Sequence, residues 1–117
     1  MQVSVHEGPT LVGTAAIEHL DPPIGVAFGP FVPAGHYSRD RHANVIEGEF
    51  VGDRGKVLSA STDRYGVLQT RTVAIEDWTN PPSMELTLFF SDGNDFAEVF
   101  SNHADYIAYY PHLGNGS

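Results

Sequence analysis

A chain of 117 residues has room for one hydrophobic core rather than two, and 41% apolar with 11% aromatic residues is too rich for a disordered acidic segment. The absence of cysteine excludes a disulfide framework, a thiolate metal site and a cysteine nucleophile. A net charge of -9 lacks the basic footprint that nucleic acid or an anionic membrane needs in a partner.

Period-two alternation dominates the first ninety residues and predicts strands. Thr10 to Leu20 places Leu11, Ala15 and Ile17 on one parity and ends at Asp21-Pro22-Pro23. Ile24, Val26 and Phe28 then alternate with Gly25, Ala27 and Gly29, a bulky face backed by one that allows close backbone approach. Residues 34–43 are polar and read as a loop or irregular edge. Val45 to Val51 reads as one strand, with Ile46 and Phe50 on one face and Glu47 and Glu49 on the other, before the turn Gly52-Asp53-Arg54-Gly55. Lys56 to Ser61 and Val67 to Glu76 are separated by Asp63-Arg64-Tyr65-Gly66, which suits a hairpin connection. After a break at residues 80–83, Met84, Leu86, Leu88 and Phe90 alternate with Glu85 and Thr87 as a half-buried strand.

Beyond Ser91-Asp92-Gly93-Asn94 the period becomes helical. Asp95 followed by Glu98 resembles a capping box, and one helix is predicted from Asp95 to Tyr110, stopped by Pro111. Phe96, Phe100, His103 and Ile107 form its buried stripe, with His103 expected as a hydrogen-bonded structural histidine. The fold class that follows is α+β. It is a bent antiparallel sheet of about five to seven strands carrying one C-terminal helix, with an all-β sandwich or barrel as the alternative. Residues 1–112 are expected to form one globular domain and 113–117 a flexible tail. Residues 1–9 have neither the basic start nor the apolar run of a secretory signal, and no stretch reaches the roughly 18 apolar residues of a membrane span. A cytoplasmic location is the simplest expectation.

The charge is segregated along the chain. All six bases, Arg39, Arg41, Arg54, Lys56, Arg64 and Arg71, fall between residues 39 and 71, whereas Glu76, Asp77, Glu85, Asp92, Asp95, Glu98 and Asp105 follow with no base among them. On the outer face of the predicted helix, Asp95, Glu98, Asn102 and Asp105 frame Tyr109, with Tyr106 at the border. Carboxylates around a tyrosine suit the grip of an Arg or Lys side chain. They would also speed encounter with a basic protein.

Other motifs are few. Gly55-Lys56 runs into Val57 and lacks the earlier glycine of a phosphate-binding loop, and no nucleophile elbow, paired-histidine zinc motif or calcium loop is present. The reading therefore favours binding over catalysis and calls for no cofactor. In an extended segment His36, Asp40 and His42 would share a parity, as a two-histidine, one-carboxylate metal site requires. The following Ile46-Glu47-Gly48-Glu49 resembles the strand around the metal ligands of cupin barrels, although the His-x-His pair of that family is absent. Three functions stand as expectations. The first is a protein-binding domain of the inhibitor or immunity type that neutralises a basic partner such as a nuclease toxin. A cupin-like small-molecule or metal-binding barrel and a structural or assembly subunit are the others.

Overall fold

The alternation of residues 84–90 is the clearest strand signal, and it forms the long strand β10 (Pro82–Phe90), with Leu86, Leu88 and Phe90 buried. The computed structural model describes residues 1–79 and 82–110. Part of the break expected at 80–83, the helix stop at Pro111 and the expected tail at 113–117 lie outside them. β10 pairs on one side with β9 (Thr70–Thr79) and on the other with β4 (Val26–Pro33), both antiparallel. β4 passes the sheet on to β2 (Thr10–Ala16), β1 (Gln2–Glu7), β7 (Leu58–Thr62) and the short β8 (Gly66–Val67).

Two further pieces complete the sheet, one at its other edge and one beside β4. β5 (Val45–Ile46) runs parallel to β9 and pairs with β6 (Glu49–Phe50), while β3 (His19–Asp21) pairs with the first half of β4. Among the described residues the sheet is open and mixed and has ten strands, nine along one hydrogen-bonded path with two-residue strands at both ends and β3 beside it. That count exceeds the five to seven expected because four strands have only two or three residues, too short for periodicity to reveal.

The sheet curls because single strands change partners along their length. β4 pairs with β10 through residues 26–30 and with β2 only from Phe31 onward. Beyond β8, Leu68 N–H still donates to the Ala60 carbonyl of β7, and after Gln69 the same chain becomes β9 beside β10. Val3, Val5, Val12, Ala15, Ile17, Ala27, Phe31, Ala60, Val73, Ile75, Leu86 and Leu88 share one buried core.

Several predicted elements differ in detail. The run from Thr10 to Leu20 is interrupted, and Leu11 is exposed while Val12 is buried. Val5 faces Gly13 whereas His6 faces Leu11, so Val12 is an extra residue, and this bulge reverses the parity before it. Residues 45–51 form a hairpin rather than one strand, because Glu47 and Gly48 both take positive φ. Within the polar segment, residues 39–42 make one helical turn, α1 (Arg39–His42).

The expected terminal helix is two helices, α2 (Gly93–Phe100) and α3 (Ala104–Tyr109). Asp92, not Asp95, caps the first, its carboxylate accepting from Asn94 N–H at 2.7 Å. Ser101, Asn102 and His103 interrupt the helix, as residues that compete for backbone hydrogen bonds do. His103 Nδ1 accepts from Asp105 N–H and caps the second helix, a structural role at the break instead of inside the stripe. Phe96 and Phe100 still pack on Phe90 with ring centroids 5.4 and 5.6 Å away. Each such aromatic pair adds about 1 kcal/mol to the burial of its area.

Candidate functional site

The break in the helix divides the predicted acidic face. Asp95 and Glu98 remain on α2 and line a hollow of about 180 Å³ with Tyr65, Val67, Leu68, Gln69, Phe90 and Val99. Asp105 points elsewhere, accepting from Leu20 N–H of β3 at 3.0 Å with His19 Nδ1 at 3.8 Å. Tyr106 packs half-buried against the core, its ring 6.1 Å from Phe96. Asn102 is exposed in the interruption, and Tyr109 is exposed at the end of α3 with its ring edge-on to Tyr110 at 4.6 Å. The six residues are therefore not one surface. Asp95 and Glu98 keep a hollow in common, and the aromatic ring beside them is Tyr65.

Tyr65 stands in the turn between β7 and β8, where its N–H donates to Thr62 Oγ1 at 2.9 Å. The Arg64 guanidinium lies 5.2 Å from the centre of its ring, so this ring already accepts a cation, as the negative face of a phenol does. Arg64 lines a neighbouring hollow rather than the one holding the two carboxylates. Among the described residues no base pairs with Asp95 or Glu98. The hollow combines apolar walls with an amide and two carboxylates, which matches a long aliphatic stem bearing a positive head.

At the opposite end of the curled sheet, the polar segment between β4 and β7 forms a cover. Tyr37 O–H donates to Asp77 Oδ2 at 2.6 Å, and Arg39 Nη2 reaches Asp77 Oδ1 at 3.4 Å and Glu47 Oε1 at 3.1 Å. Burial, and then the hydrogen bond to the Asp77 carboxylate, push the Tyr37 phenol above its ordinary range. Glu47 is held below the usual carboxylate range by the Thr79 hydroxyl and then by the Thr79 N–H and Arg39. Beside them, Ser38 N–H donates to His42 Nδ1 at 3.0 Å, which leaves Nε2 to carry the proton toward Glu7 Oε1 at 2.9 Å. Arg41 grips the same carboxylate at 2.6 Å, and hydrogen bonds from Arg41 and His42 bring the Glu7 pKa down to about 2.

The histidine set read from sequence is separated by this arrangement. The helical turn of α1 replaces the extended backbone that put His36, Asp40 and His42 on one parity. His42 is buried with both ring nitrogens engaged, whereas His36 and Asp40 are exposed. His36 and His42 border a common hollow with Glu7 and Arg41, and Asp40 is not part of its wall. No cluster of three histidine, aspartate or glutamate side chains suited to a metal occurs among the described residues.

A further acidic pair was not singled out by the sequence. Glu76 of β9 lies directly opposite Glu85 of β10, both half-buried on the outer face of the sheet. Burial first, and then the facing Glu76, raise the Glu85 pKa, which His19 partly offsets. A folded-state pKa above the unfolded one means that ionised Glu85 costs stability at any pH above the raised value, and that this cost fades as pH falls through it. Glu85→Gln is thus expected to stabilise the protein by about 0.5 kcal/mol at pH 7. Thermal unfolding should show the gain at pH 7 and its loss near pH 4; a gain equal at both would deny the repulsion.

No family model, curated protein or solved structure matches this chain.

Proposed function

We propose that this chain is a small protein-binding domain that recognises a basic partner, taking an Arg or Lys side chain into the hollow between α2 and the β7–β8 turn. The observation that carries the reading is the common placement of Asp95, Glu98 and Tyr65 around that hollow, with no base paired to either carboxylate among the described residues. Val67, Leu68, Phe90 and Val99 would cover the aliphatic stem, while the carboxylates take the charged head. The excess of acids in the last third supplies attraction at longer range. In its most concrete form the domain is an inhibitor or immunity-type protein that blocks a basic protein, such as a nuclease toxin, by offering carboxylates in place of its anionic substrate.

Titration with a tri-arginine peptide, monitored by amide chemical shifts, tests the site. Shifts are expected at Tyr65, Gln69 and the first turns of α2. Asp95→Lys with Glu98→Lys should weaken binding at least about tenfold, and raising salt from 0.05 to about 0.5 M should weaken it further. A tri-citrulline peptide, equal in shape and uncharged, is expected not to bind. Equal binding of both peptides, or indifference to the double substitution, would remove the hollow as a basic-side-chain site.

A further inference from the structure

The β5–β6 hairpin turns through two residues with positive φ, Glu47 at 52° and Gly48 at 80°. This is the turn hand that suits a twisted hairpin, but glutamate is strained in it. The strain is held by fixed bonds. Glu47 N–H donates to the Asp77 carbonyl at 2.9 Å, and its carboxylate accepts from Thr79 N–H at 2.6 Å, from the Thr79 hydroxyl and from Arg39. A Cβ on Gly48 would lie 2.7 Å from the Trp78 ring, so the turn is also clamped against β9. What this device secures is the position of Phe50, which remains 68% exposed. A rigidly held exposed phenylalanine is not required by the core, and strain retained at such a place points to binding.

Phe50 forms one wall of an apolar groove of about 310 Å³ along the outer face of the sheet, with Val45, Ala74 and Phe89. The groove continues into a second hollow of about 310 Å³ bordered by Lys56 and Arg71, and Asp53, Thr72 and Phe89 line both. Charge at that end is unusual for this chain. Asp53 is engaged by Lys56 Nζ at 3.6 Å and by the Thr72 hydroxyl at 2.9 Å. Arg71 lies over the Phe89 ring at 5.4 Å and has no carboxylate partner among the described residues. A mostly apolar groove of this size with a cation at one end has the form of a small-ligand site.

We propose that the groove binds a small amphiphilic carboxylate, its apolar body between Phe50 and Phe89 and its carboxylate on Arg71, with Lys56 alongside. The apolar walls supply affinity in proportion to the area covered, and Arg71 supplies a charge-assisted bond that fixes direction. An overall charge of -9 repels anions, so it is the local cation and the apolar body together that admit this one.

Titration calorimetry of the full chain with sodium decanoate below its micelle concentration tests the proposal, with decylammonium as the probe of equal apolar length and opposite charge. Decanoate is expected to saturate one site and to bind at least about tenfold tighter than decylammonium. Phe50→Ser and Arg71→Gln, both at exposed positions, should each weaken decanoate by about tenfold, while Val32→Ser, also exposed but outside the groove, should leave it unchanged. Equal binding of the two probes, absence of saturation, or retention of affinity in Arg71→Gln would overturn it.

Discussion

Gly29→Ala is expected to lose at least about 3 kcal/mol of stability or to fail to fold, the largest effect of any single methyl group proposed for this chain. Gly29 is buried in the middle of β4, at the place where that strand changes neighbours. β2 pairs with the end of β4 and β3 with its beginning, so the chain between them, Ile17-Glu18, must arch across Gly29. The added carbon would lie 1.8 Å from the Ala16 carbonyl oxygen and 3.1 Å from Ile17 Cα, all backbone atoms that no rotamer change can clear. Moving Ala16 would in turn disturb its pairing with Gln2 and the bond from Ile17 N–H to the Met1 carbonyl. Urea unfolding of Gly29→Ala beside Gly35→Ala gives the comparison. Gly35 has open space around an added Cβ, and its variant should unfold within about 0.5 kcal/mol of the parent. Parental stability in Gly29→Ala would show that the close approach does not shape the sheet.

This crossing also marks the limit of what periodicity can reveal. Small residues alternating at Gly25, Ala27 and Gly29 announced a close approach, but not which segment makes it. β10 was legible because neighbours on both sides enforce one inward parity at Leu86, Leu88 and Phe90. The bulge at Val12 was not, since its cause lies in the register with β1. The hairpin at 45–50 escaped because Ile46, Glu47, Glu49 and Phe50 mimic the alternation of one continuous strand, although the turn reverses the parity and pairs Phe50 with Val45 instead of placing it beside Ile46, and Glu47-Gly48 lacks the Asn-Gly or Asp-Gly signature. Likewise the spacing of Phe96 and Phe100 continues in register through His103, hiding the interruption that Ser101 and Asn102 permit. Of the candidate hollow, Asp95 and Glu98 were read from the helix, yet Tyr65 and Gln69 enter through long-range packing. The only sequence signal for Tyr65 was an aromatic in a predicted turn beside Arg64.

Asp77→Ala is expected to destabilise by about 3 kcal/mol, although aspartate at that position continues the inward series of Val73 and Ile75. Truncation strands the partly buried Tyr37 hydroxyl and removes one carboxylate from Arg39, while opening space where the cover meets the core. Asp77→Asn keeps an oxygen for Tyr37 and should lose about half as much. With Tyr37→Phe the effects should fall short of additive by about 1 kcal/mol or more, because both substitutions remove the same hydrogen bond. Denaturant unfolding of the four forms measures this coupling, and strict additivity would deny it. The consequence reaches the outer groove. Arg39, once deprived of Asp77, is the tether of Glu47, and Glu47 holds the strained turn that presents Phe50. Asp77→Ala should therefore weaken decanoate binding by several-fold under conditions where the variant remains folded, without Asp77 lining the groove. Asp77→Asn should weaken it less. If both variants bind as the parent does, the turn is held by Thr79 and Trp78 alone, and the buried cover and the groove are independent.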